Sequence, residues 1–164
     1  MLLAWLCTAC TSKAIDAAPP TIQPASPAAS PPSIGAPAGT VRPLPGRPTA
    51  AVFDAGTAAL VVLDSAAEKL TVLGSGSART IELPGPATAL ITDTQGTAYL
   101  AGRGGYVRVD LAAGTSDKIE ITDAQDTDFT AIARRQDGTL VLGSADGAVY
   151  LLTPDGTGIE HRVE

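Results

Sequence analysis

Pro86 to Ile121 reads PATALITDTQGTAYLAGRGGYVRVDLAAGTSDKIEI, and this stretch decides the fold. It contains four short runs, TALITD, AYLAG, YVRVD and DKIEI, separated by Gly and Asp turn signals. Val, Ile, Thr and Tyr suit a pleated, half-buried surface, and no convincing amphipathic helix interrupts them. The pattern then recurs. Gly96-Thr97 has a counterpart 40 residues earlier at Gly56-Thr57 and another 42 residues later at Gly138-Thr139. Before the pair stand AAVFD, TALITD and TAIARRQD; after it come AALVVLD, AYLAG and LVLGS. Third runs (KLTVL, YVRVD, AVYLL) and fourth runs (RTIEL, DKIEI, GIEHRV) complete units of about 47–83, 86–122 and 127–163.

A repeat of about 40 residues with four strands is the signature of a β-propeller blade. The expected fold is therefore all-β: a partial propeller of about three four-stranded antiparallel blades over 49–164. Asp137-Gly138, Asp146-Gly147 and Asp155-Gly156 suit tight hairpins, because Gly takes positive φ without a Cβ clash and Asp tolerates the same region. Runs such as Leu140, Val141 and Leu142 are apolar on both faces, as blades sandwiched between neighbours must be. The segment quoted above resembles the YVTN, NHL and related propeller repeats of bacterial surface and periplasmic proteins. The chain has no Trp-Asp signature, and its single Trp, Trp5, stands outside the repeats. Three blades leave apolar faces in water, since propellers close with about four to eight. A longer propeller of which this is a part, self-association that completes the ring, and a curved stack of three all satisfy that constraint.

Residues 1–10, MLLAWLCTAC, run apolar from Leu2 to Leu6 and reach Cys10 behind small residues. This resembles the end of a bacterial lipoprotein signal, which implies cleavage before Cys10 and lipid attachment to it. Cys7 stands where that pattern has an aliphatic, and no basic residue precedes the short apolar run, so an ordinary secretory signal or a plain apolar start remains open. Ten of the 13 prolines lie between Pro19 and Pro48, in a segment too poor in large apolar side chains to form a core. Residues 11–48 are expected to be a disordered Pro- and Ala-rich tether sampling extended polyproline II geometry. The resulting expectation is an exported, lipid-anchored module at the outer face of the cytoplasmic membrane or cell envelope, or a secreted one. Its partner would be a protein or an envelope component.

The 164 residues carry 11 Lys and Arg against 17 Asp and Glu, a formal charge of −6, with no basic cluster that would serve as a nucleic-acid footprint. Cys7 and Cys10 lack the strand-to-helix setting of redox thiols and fall short of a zinc set, and no cofactor is implied. In propellers generally, ligands meet the loops joining strands two and three and those joining blades. That rule selects Glu68, Arg103, Asp146 and the connection bearing Asp123, Asp126 and Asp128. Three carboxylates suit a hard cation such as Ca²⁺, but the connection lacks the Gly and terminal Glu of an EF-hand loop, so a solvated turn is expected and no metal site. Arg103, flanked by Gly102, Gly104 and Gly105, offers amides and a cation to an anion without being a nucleotide fingerprint. His161 has no G-x-S-x-G partner, and Arg134-Arg135 are expected to be surface charges. No catalytic constellation emerges, which favours a binding or scaffold module over an enzyme. The alternative is the amino-terminal part of a propeller enzyme, a lactonase-like hydrolase or a quinoprotein, with its active residues beyond Glu164. The absence of Asn counts against the lactonase ligand set.

Overall fold

The structure, a computed structural model, describes residues 29–30, 35, 38–39, 41–44, 46–66, 68–76 and 78–164. Cys10 and most of the Pro-rich segment lie outside these residues. The chain divides into two units, Met1–Val41 and Arg42–Glu164, and among the described residues every strand belongs to the second.

Short β-branched and aliphatic runs between Gly- and Asp-containing turns form twelve strands in three antiparallel sheets. The first sheet holds β1 (Ala50–Asp54), β2 (Ala59–Asp64), β3 (Lys69–Leu73) and β4 (Arg79–Glu82). The second holds β5 (Ala89–Thr92), β6 (Thr97–Gly102), β7 (Gly105–Asp110) and β8 (Thr115–Glu120). The third holds β9 (Phe129–Arg134), β10 (Leu140–Ser144), β11 (Val149–Leu152) and β12 (Ile159–Val163). Each is a simple meander, with its strands hydrogen-bonded in sequence order. The first strands β1, β5 and β9 contact one another in turn, whereas β4 meets β8 only sparsely. Such sheets, close at one edge and spread at the other, are propeller-like blades.

Each blade has a leading face toward the blade before it and a trailing face toward the next. Strand alternation assigns the residues. Val61, Leu63, Leu70 and Val72 on the trailing face of blade 1 pack against Leu100, Val107 and Val109 on the leading face of blade 2. Between blades 2 and 3, Ala101, Tyr106 and Ile121 meet Phe129, Ile132, Leu142, Tyr150 and Leu152. The core is thus two layers between three sheets. Fully buried leucines such as Leu63, Leu70 and Leu100 each contribute about 1.5–3 kcal/mol relative to exposure.

The recurring Gly-Thr pair terminates hairpins at the lower end of the blades, where an Asp precedes it. Asp54 accepts the Thr57 amide at 2.7 Å and the Thr57 hydroxyl, and Asp93 accepts the amides of Gln95 at 2.8 Å and Thr97 at 2.9 Å. Asp137 accepts the Thr139 amide at 3.0 Å. The glycines serve different ends. Gly96 takes a φ of +86°, while at Gly56 a Cβ would stand 2.7 Å from the Gly96 nitrogen, so blade 1 could not approach blade 2 with a larger residue there.

Burial by itself would raise the Asp93 carboxyl, but the Thr97 and Gln95 amides and the charge of Arg134 outweigh it and hold the group below its ordinary value. A folded-state value below the unfolded one gives stability that is present above the unfolded value of 3.8 and is lost as pH falls through the folded value. Asp93→Ala should cost about 1–3 kcal/mol at neutral pH and weaken the decline of melting temperature below about pH 4. Thermal melts from neutral pH to pH 2 check both; an unchanged acid limb would show that Asp93 does not shape it.

The described residues among 42–49 form a strap on blade 1. The Arg42 guanidinium donates to the carbonyls of Gly74 at 2.9 Å and Gly76 at 3.2 Å in the β3–β4 turn. At the opposite end of the blade the Arg47 amide donates to Asp64 at 2.8 Å, and the Thr49 amide to the Leu63 carbonyl at 2.8 Å. On the leading face, which no blade covers, Val62 and Thr71 are nonetheless buried, and Leu44 in the strap is half-buried.

Candidate functional site

The upper loops of blades 2 and 3 are tied through backbone. Gly104 in the β6–β7 turn donates to the Thr127 carbonyl at 2.9 Å and accepts from the Ile121 amide at 3.0 Å, and Arg103 forms a β-bridge with Asp128. The Ala145 amide in the β10–β11 turn donates to the Asp128 carbonyl at 2.8 Å. This framework sets one guanidinium between two carboxylates: Arg103 Nη2 lies 3.0 Å from Asp126 Oδ1, and Arg103 Nη1 lies 3.4 Å from Asp128 Oδ1. All three side chains are exposed, Asp126 almost completely, so the charges are solvated and screened. The arrangement offers carboxylate oxygens and residual guanidinium donors to a polar partner; Arg103 is not an unengaged cation for a free anion.

Beside this cluster a cleft of about 270 Å³ opens between the blade 1–2 connection and blade 2. Pro84, Gly85 and Pro86 form one wall, and Gly102, Arg103, Tyr106 and Lys118 form the rest. The Tyr106 ring runs from this cleft toward the β11–β12 turn, where its hydroxyl stands beside Gly156, and burial, foremost, raises the phenol above its ordinary value. The cleft joins an apolar wall to the charged rims of Arg103 and Lys118.

The remaining loop-face residues lie apart from the Arg103 pair. Asp146 accepts from the Ser144 hydroxyl, which with the Ala148 amide holds its carboxyl below the usual range; Arg162 approaches it at 3.9 Å. Its turn abuts Asp128 through the Ala145 bond, so Asp146 borders the cluster. Glu68, at a φ of +52°, contributes its carbonyl to the Leu83 amide at 2.9 Å and belongs to the blade 1 turn. Asp123, at a φ of +64°, shapes the inter-blade connection. Among the described residues no group of three or more His, Cys, Asp or Glu is placed to hold a metal ion. His161 lies on β12, paired with Leu151.

The opposite end of the blades carries a polar basin that no sequence motif marks. Asp93, Gln95, Tyr99, Arg108, Asp117 and Arg134 line it, with a volume of about 380 Å³. Burial and the neighbouring Asp93 charge raise the Tyr99 phenol. The carboxylates of this basin are largely engaged: Asp93 by its own turn, Asp110 by the Ala112 and Ala113 amides at 2.8 Å each, and Asp117 facing Arg108 at 4.0 Å.

Among the described residues no helix is long and apolar enough to cross a membrane. No family model and no curated protein sequence matches the chain. Among solved structures it is similar to the hydrazine synthase of Kuenenia stuttgartiensis, a β-propeller-containing protein, with a TM-score of 0.58 at 17% sequence identity. The match covers 71% of this chain and 36% of that one, so the chain spans about a third of that protein's length. At this identity the likeness concerns architecture alone, and it agrees with the sheets described above: the chain is an all-β protein built of propeller-like blades.

Proposed function

We propose that this chain is an exported, lipid-anchored binding module of the bacterial cell envelope that acts without catalysis. Its upper loop face would meet a protein or envelope partner. The observation that carries the reading is the Arg103–Asp126–Asp128 cluster, fixed by backbone bonds across two blades and set beside the Pro84–Pro86 cleft. A rigid framework under exposed, oppositely charged groups supplies orientation and specificity at a binding surface more than stability. The lipobox-like MLLAWLCTAC, the Pro-rich segment after it and the resemblance to YVTN and NHL repeats support the placement at the envelope.

Two measurements test it. Cys10→Ser should move the protein from the detergent-soluble to the aqueous fraction of its own cells and remove a diacylglyceryl mass; unchanged partition and mass would end the anchor reading. Arg103→Glu and Asp126→Lys should each weaken partner capture by at least about tenfold while melting temperatures move by no more than about 2 °C. If both variants bind as before, the loop face is not the contact surface. Turnover appearing with a longer polypeptide would favour the enzyme alternative.

A further inference from the structure

The three-blade stack ends in two faces that no blade covers, and they differ in texture. On the leading face of blade 1 the cross-strand row Ala51–Val62–Thr71 has Val62 and Thr71 buried, and the strap is tied to both ends of that blade. The next row toward the β1–β2 turn is bare: Phe53 on β1 is 63% exposed, and its cross-strand partner Leu60 on β2 is 38% exposed. On the trailing face of blade 3, two cross-strand rows run Ala133–Val141–Leu151–His161 and Ala131–Gly143–Val149–Val163. Those rows contain no Asp, Glu, Lys or Arg, and Val149 and Val163 are 45% and 53% exposed. Its inner strands present small side chains, Ala131, Ala133 and Gly143, where blade 1 presents large ones.

The same pairing of sizes already exists inside the molecule. Phe129 and Leu142 on the leading face of blade 3 share one core cluster with Ala89 and Ala101 on the trailing face of blade 2. Both internal layers bring a trailing face against a leading face, and the terminal faces are the unused halves of that same contact. We propose that the occupant of each is a second copy of this chain, docked head to tail, so that two copies close one ring of six blades. A head-to-tail contact that closes gives a cyclic dimer, and six lies within the usual range of about four to eight. Closure makes the contact twice, which raises the area buried per copy toward that of a stable interface. Phe53–Leu60 on blade 1 and Ala133–Val141 on blade 3 each stand one pair from their hairpin turn, so the bare row of one face and the small row of the other lie at the same level of the ring. The absence of charged rows on the trailing face keeps like charges from meeting at the joint. This inference does not rest on the loop-face function.

The test is the solution mass of the full 164-residue chain, 16.5 kDa, with Cys7→Ser and Cys10→Ser so that neither lipid nor a disulfide holds copies together. Sedimentation over about 1–100 µM should give twice the chain mass. Phe53→Lys and Ala133→Glu should each give the single mass. An equimolar mixture of the two should recover the dimer, since one joint is then unmodified and the other sets Lys against Glu; that recovery also shows both variants to be folded. Four results would overturn the proposal: a single-chain mass throughout, as expected if further blades of a longer polypeptide cover these faces; a dimer broken by Ala133→Glu but not Phe53→Lys, which places trailing face on trailing face; a dimer insensitive to both; or a mass that grows without limit.

Discussion

Replacing Phe129 by Ala is expected to cost about 3–5 kcal/mol and to lower the melting temperature by roughly 10–25 °C for a unit of this size. Phe129 is 1% exposed, stands edge-on to Tyr150 with ring centroids 5.2 Å apart, and belongs to the layer between blades 2 and 3. Truncation removes the apolar transfer energy and leaves a cavity between two sheets whose backbones are tied by other bonds, so the gap cannot simply collapse. The effect reaches the loop face as well. The Phe129 carbonyl accepts from the Thr88 hydroxyl at 2.7 Å, and its neighbour Asp128 carries both the bridge to Arg103 and the bond from Ala145. Partner capture should therefore weaken at temperatures where the variant is still folded. Phe129→Leu, which keeps most of the volume, should lose only about 1 kcal/mol and bind normally. Urea and thermal unfolding measure the stability of both variants. Near wild-type stability in Phe129→Ala would mean that blade 3 is not packed on blade 2 through this ring.

Gly105→Ala should be comparably damaging, about 2–4 kcal/mol, for a different reason. A Cβ at this position collides with the Ile119 carbonyl oxygen, and that oxygen is backbone in the neighbouring strand and cannot rotate away. Gly105 pairs Gly102 on one side and Glu120 on the other, so relief would require β7 to separate from β8. The bonds of Gly104 to Ile121 and Thr127 would move with it. Gly147→Ala is the informative control. That turn has a φ of +93° but open space around the absent Cβ, so only the left-handed backbone penalty of about 1–2 kcal/mol applies. If the two alanine variants melt alike, close approach of β7 to β8 is not what demands glycine at 105.

The strands were legible because each one is local. KLTVL, YVRVD and AVYLL announce their own pleat, and the Gly-Thr pair marks each blade at a spacing that needs no three-dimensional knowledge. The position of Arg103 on the loop face was also within reach, since a strand-two-to-three turn in one blade implies its equivalents in the others. Its engagement was not, because the pairs to Asp126 and Asp128 span 23 and 25 residues and depend on how the blade 2–3 connection folds back on the turn. The strap escaped for a related reason. Arg42 lies among prolines and looks like part of a spacer, yet its contacts are 32 and 34 residues away in the β3–β4 turn. The lower basin assembles Asp93, Arg108 and Arg134 from one turn and two strands of two blades, and no short motif can encode that meeting.

The strap's attachment also determines how the blade unit yields to mechanical load. A pull directed through the chain before Arg42 arrives first at two side-chain bonds to Gly74 and Gly76, which bear it as a single point of attachment. Once they part, tension passes to the Arg47–Asp64 bond and then to Thr49, each loaded in succession rather than together. Only after that does it reach β1, whose five register pairs with β2 resist as a group. The segment is therefore a compliant link in series with a stiff sheet, its isolated bonds loaded one after another before the strands behind it.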